Sequence, residues 1–150
     1  MDLTDLNYLL KKISLSSDHA GYKLKEKVKK YLLKKNFKVI DLGPKNNESV
    51  DYPDYAKRVA RSISSKKSNL GILICGSGTG MAMSANKFKK IRAAVCYNKA
   101  STRLSRQHNN ANIIALGSRL TNTKKAIRLV NVFLNTKFEG GRHLRRVKKV

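Results

Sequence analysis

The stretch "ILICGSGTGMAMSANKF", residues 72–88, runs from an apolar segment through three alternating glycines into residues compatible with a helix. With Leu70 and Gly71 ahead of it, "LGILIC" has no polar position. That is the pattern of a strand covered on both faces, and so of a parallel sheet. A strand opening through glycines into a helix gathers backbone N–H groups where the helix start is partly positive, an arrangement suited to an anion. Cys75 ends the strand and brings a thiol to that point.

Working outward, strands and helices alternate. "KISLSS" (12–17) and "FKVID" (37–41) read as strands around a helix over 21–35, where Leu24, Val28, Tyr31 and Leu32 share one face and the lysines take the others. A helix over 53–66 begins with Pro53, which suits a first turn. After 70–75 the pattern predicts a short helix at 81–88, a strand "IRAAVC" (91–96), a helix at 98–109, a strand "NIIAL" (112–116) and a helix at 122–136. On the last, Ile127, Val130 and Leu134 share a face. Five strands joined by helices predict an α/β fold: a three-layer α/β/α sandwich around a five-stranded parallel, Rossmann-like sheet, with right-handed connections and its ligand beyond the carboxyl ends of the strands.

A chain of 150 residues fits one domain with a sizeable core. No run approaches the ~20 apolar residues needed to cross a bilayer. The start "MDLTDLNYLLKK" has acids where a targeting sequence would be basic, which predicts a cytoplasmic protein. Cys75 and Cys96 are too few for a disulfide framework and read as reduced thiols. Lys and Arg number 33 against 9 Asp and Glu, a formal charge of +24. Such a balance makes nucleic acid, acidic surfaces or anionic metabolites plausible partners. Most lysines fall on polar helix positions and read as solvated, while "RHLRRVKKV" at the C-terminus reads as an anion clamp or a nucleic-acid tail.

The predicted strand ends collect Asp18 and His19, then Cys75 with Gly76 to Gly80, then Cys96, then Gly117 to Arg119. Three known loop types fail on the glycine segment. A P-loop needs a lysine where Ser77 follows Gly76. A dinucleotide loop needs a third glycine where Met81 stands, and a phosphatase loop needs an arginine at that same position.

The segments "SSDHAGYKLKE", "DYPDYA", "ILICGSGTGMAMSANKFKKIRAAVC", "LSRQHNNANIIALGSR" and "EGGRHLRRV" occur in the order found in the ribose-5-phosphate isomerase B family, which also includes the galactose-6-phosphate isomerase subunits. The chain resembles that family from about residue 12 onward, leaving residues 1–11 as an N-terminal extension to a single isomerase domain over 12–150 that ends in a helical segment. The resemblance implies a homodimer or dimer of dimers. It also implies an aldose–ketose isomerase acting on ribose 5-phosphate, or alternatively on a six-carbon sugar phosphate such as galactose or allose 6-phosphate. A basic nucleic-acid-binding protein on an inherited enzyme fold is the alternative of another class.

Isomerisation through an enediolate needs a base near C1 and C2, donors for an oxyanion and a group that opens the sugar ring. Cys75 resembles the family's catalytic base, and a site before a helix favours thiolate. Cys96, with no glycine loop behind it, reads as packing. Gly76, Gly78 and Gly80 resemble the anion hole, and the Ser77 hydroxyl can donate to the same oxygens. His108 matches the ring-opening histidine and Asn109 the substrate-holding asparagine, contributed to each site by the partner subunit. Many relatives carry an acid where this chain has Asn110. Asp18 and Tyr52 resemble residues that bind sugar hydroxyls and cover the site, although alone Asp18 could be a helix cap and Tyr52 a packed aromatic. His19, Arg119, Arg142 and Arg146 stand where the family grips phosphate, the last two at i, i+4 on one helical face. His143 and Arg145 read as surface. Three dispersed histidines and two separated cysteines give no metal-ligand spacing, so neither metal nor cofactor is expected, nor any specific nucleic acid or membrane partner.

Overall fold

The computed structural model describes residues 11–150, so the extension expected at 1–11 lies almost wholly outside the described residues. Five strands, β1 (Lys12–Ser17), β2 (Lys38–Asp41), β3 (Leu70–Cys75), β4 (Ala93–Val95) and β5 (Ile113–Gly117), form one sheet. All pairs are parallel and the order is β2-β1-β3-β5-β4. The helices are α1 (Tyr22–Lys34), α2 (Tyr52–Ser64), α3 (Thr79–Ala85), α4 (Lys99–Gln107), α5 (Thr123–Asn135) and α6 (Arg142–Val147). Among the described residues no helix is long and apolar enough to cross a membrane.

The apolar run "LGILIC" is β3, the central strand, buried at all six positions. Its alternate side chains feed two cores. On one face Ile72 and Ile74 join Leu24, Val28 and Leu32 of α1 and Leu129, Val130 and Phe133 of α5. On the other, Leu73 and Cys75 join Ala56, Val59 and Ala60 of α2 and Met81, Ala82 and Ala85 of α3. Each Leu, Ile, Val, Phe or Met among them contributes about 1.5–3 kcal/mol on burial, so one strand anchors both helical layers.

Several boundaries move. The edge strand β4 is shorter than the run 91–96, because the Arg92 N–H is taken by Asn112 Oδ1 at 2.8 Å before sheet pairing begins. Helix α3 starts at Thr79, two residues ahead of expectation, with Gly78 at φ +80° as its N-cap. Lys25 overturns the reading that lysines fill the solvated face of α1. It is fully buried, and its Nζ lies 2.8 Å from Glu26 and 2.9 Å from Asp41.

The chain runs from β1 out to β2 and crosses back to β3, so the order reverses between β1 and β3. The crevice outside the carboxyl ends of those strands is where such sheets bind ligands. Asp18 and Cys75 stand there.

Candidate functional site at two edges of the sheet

Cys75 ends β3 opposite Gly117 of β5. It is buried, and the Gly78 N–H donates to its Sγ at 3.1 Å. Glycine stands at 78 because the chain enters α3 there at φ +80°, a left-handed conformation that side chains disfavour. Ser77 is exposed beside it, and its Oγ accepts from the Thr79 N–H at 3.3 Å. A Cβ at Gly76 would fall 2.8 Å from Arg119 Nη1, and one at Gly80 would fall 2.7 Å from the Tyr52 ring. The two bare positions thus let a guanidinium and an aromatic ring close over the loop. Asp18 is buried and accepts from the Gly21 N–H through Oδ1 at 2.9 Å, the local turn that leads into α1. Together Asp18, Tyr52, Cys75, Gly76, Ser77, Gly80 and Arg119 line a cleft of about 400 Å³. His19 is exposed beyond Asp18, and its Nδ1 accepts from the Val50 N–H at 3.2 Å.

The remaining candidates lie elsewhere. His108 caps the C-terminal end of α4, just before β5 begins. A helix linking parallel strands runs back against them, so its end reaches the amino edge of the sheet. From Ile113 to Gly117 the strand covers about 13 Å, and Cys75 is level with its far end. His108 and Asn109 line a cavity of about 710 Å³ with His143 and Arg146, and this cavity shares no lining residue with the Cys75 cleft. Arg142 and Arg146 sit on α6, and the loop before α6 is held to the end of α4 by the Glu139 N–H donating to the Gln107 carbonyl at 3.1 Å. The four cations expected around one phosphate therefore divide within a chain, with His19 and Arg119 at the carboxyl edge and Arg142 and Arg146 at the amino edge.

His143 is not a surface residue. It is 8% exposed, and its ring stacks on His108 with centroids 4.2 Å apart and planes 11° from parallel. Glu139 Oε2 lies 3.7 Å from His143 Nε2 and 4.0 Å from His108 Nε2. Desolvation, then the neighbouring His108 and Arg142, hold the His143 imidazole below its usual range against the pull of Glu139. These three side chains, dispersed in sequence, are the one group of three potential metal ligands among the described residues, with donor atoms within 4.8 Å of one another. Counting histidine spacings missed them. The signal available was topological: residues just before β5 and a C-terminal segment of "EGGRH" can meet at the amino edge.

Two other residues resolve as structural. Cys96 is buried, and burial pushes its thiol up, with Thr102 and Ser105 opposing. Asn110 adopts φ +47° and its Oδ1 accepts from Arg106 Nη1 at 3.3 Å, so it turns the chain out of α4.

The fold and cleft define a doubly wound α/β protein with a thiol and a glycine loop at the switch point of its sheet. The profile of the Ribose/Galactose Isomerase family matches residues 13–150, and the chain belongs to that family. It is 43% identical over 141 residues to ribose-5-phosphate isomerase B of Escherichia coli, covering 94% of this chain and 95% of that one. Among solved structures, the ribose 5-phosphate isomerase of Thermotoga maritima superposes with a TM-score of 0.92 at 52% identity, covering 93% and 97% of the two chains. Ribose-5-phosphate isomerase B of Clostridium thermocellum gives 0.91 at 48%, covering 92% and 93%.

Proposed function

We propose that the chain is an aldose–ketose isomerase interconverting D-ribose 5-phosphate and D-ribulose 5-phosphate. It works as a cytoplasmic homodimer, with residues 12–150 as one isomerase domain and each active site shared between two copies. The observation that carries the chemistry is the buried Cys75 sulfur under the Gly78 N–H, at the switch point of a sheet whose relatives are named ribose-5-phosphate isomerases.

In this reading the Cys75 thiolate takes the proton from C2 of the open-chain aldose and returns it to C1, while the hydroxyl proton passes from O2 to O1. The N–H groups of Gly76 to Gly80 and the Ser77 hydroxyl face the enediolate oxygens, where charge develops. Asp18 and Tyr52 hold sugar hydroxyls. His108 and Asn109 come from the partner copy, with His108 exchanging protons with the ring and anomeric oxygens. Arg142 and Arg146 of the partner complete the phosphate grip begun by His19 and Arg119. The sharing is supported by the separation of the two cavities and by exposed apolar side chains: Met83 at 65%, Leu104 at 45% and Leu144 at 43%.

Turnover of a panel of five- and six-carbon aldose phosphates tests the substrate: ribose 5-phosphate is expected to give the highest kcat/KM, and galactose or allose 6-phosphate in its place would overturn that choice. Cys75→Ala is expected to abolish turnover and solvent-deuterium exchange into substrate while inorganic phosphate still binds. Persisting exchange would assign the base to another residue.

A further inference from the structure

His108 ends a helix with its side chain 38% exposed, a setting that leaves an imidazole free to rotate. Here it is not free. The His143 ring lies flat against one of its faces, and the Glu139 carboxylate stands beside the Nε2 atoms of both rings. The backbone fixes this arrangement from both sides. The Glu139 N–H is clipped to the Gln107 carbonyl, one residue before His108. Gly140 and Gly141, at φ +67° and +54°, then turn the chain into α6, and the His143 N–H donates to the Gly140 carbonyl at 3.0 Å. Nothing in the proton transfer at C1 and C2 uses Glu139 or His143, yet the His143 ring is buried against His108.

We propose that Glu139 and His143 are positioning residues for His108, the stacked ring fixing the plane of its imidazole and the carboxylate fixing which nitrogen is turned away, toward the substrate of the partner's site. This rests on the reading of His108 as the ring-opening group. One carboxylate stands beside both rings, so a single acid serves the stacked pair.

The test separates ring opening from proton transfer. Ribose 5-phosphate is mostly cyclic, whereas ribulose 5-phosphate has its O5 esterified and stays open, so deuterium exchange at its C1 needs the base and not the ring opener. For His143→Ala and Glu139→Gln in the full-length protein, kcat on ribose 5-phosphate should fall by roughly ten- to a hundred-fold, the scale of a displaced catalytic group. Exchange into ribulose 5-phosphate, KM and inhibition by inorganic phosphate should stay within about twofold, since proton transfer and the phosphate grip are left in place. His143→Phe, which keeps a flat ring on His108, should recover most of the loss. The proposal is overturned if exchange and turnover fall together, if only KM changes, or if both variants turn over cyclic substrate normally while His108→Asn does not. If His108→Asn itself leaves turnover of the cyclic aldose intact, the ring-opening reading fails, and the proposal with it.

Discussion

Asp41 ties together the two buried or half-buried lysines of α1: its carboxylate accepts from Lys25 Nζ at 2.9 Å and from Lys29 Nζ at 2.7 Å, and also from the Gly43 N–H. Asp41→Asn leaves the fully buried Lys25 with Glu26 alone, and we expect it to cost about 3 kcal/mol in denaturant unfolding. Burial works against ionisation of Asp41, but hydrogen bonds from Lys29, the Gly43 N–H and Lys25 outweigh it and hold the carboxyl below its usual range. A carboxyl depressed in the folded state contributes stability that is complete above its unfolded value of about 4 and is lost as pH falls through the folded value. Between pH 5 and the acid limit the wild type should therefore lose more Tm than Asp41→Asn. Equal losses would remove Asp41 from the account. Helical periodicity showed α1 and its apolar face but not this lysine, because one of the two acids that pair with Lys25, Asp41, arrives from β2, at a distance in sequence that no helical pattern reads. His143 escaped for the same reason, its partner His108 lying on another helix.

The loop after β3 shows how an element can be recognised while its boundary shifts. Alternating glycines read as loop as far as Gly80, since glycine is a poor helix former. Yet Gly80 is already helical, its bare Cα covered by the Tyr52 ring, so packing outweighs propensity. Gly78 is the position that needs glycine: a Cβ there meets the Leu116 carbonyl carbon at 3.0 Å, at φ +80°. We expect Gly78→Ala to cost about 1–3 kcal/mol of stability and to lower kcat as its N–H leaves the Cys75 sulfur. A variant with wild-type kcat would show that this N–H is dispensable. At the other edge, α6 is six residues long with no side-chain cap, and it carries Arg142, Arg146 and His143 together. Arg146→Ala should raise KM about tenfold through loss of a charge-assisted phosphate contact, read from initial rates. An unchanged KM would take α6 out of the phosphate grip.

For the molecule as a whole, the parallel sheet was legible because a strand covered on both faces is an unbroken apolar run, as "LGILIC" is. The carboxyl-edge half of the site was legible for a related reason, since strand ends are where such folds hold ligands. The amino-edge candidates His108, Asn109, Arg142 and Arg146 came only from family resemblance, because where they meet depends on a strand order that places β5 between β3 and β4. From Tyr55 to Phe138 there is no Asp or Glu at all, so the charge excess covers most of the sheet's helical shell. A site built across two copies predicts complementation. Refolding equal amounts of Cys75→Ala and His108→Ala chains makes half the dimers mixed, each with one site bearing both lesions and one bearing neither, so about a quarter of wild-type activity should return. Mixed dimers with no activity would place Cys75 and His108 in one chain's site. The separation of the two cavities carries a last consequence, one of mass action. On the proposed sharing of each site, a lone chain is two unlike halves of different machines, inert however well it folds. Its rate per mole must then fall on dilution, and a plot of rate against protein concentration must curve upward from the origin before it straightens.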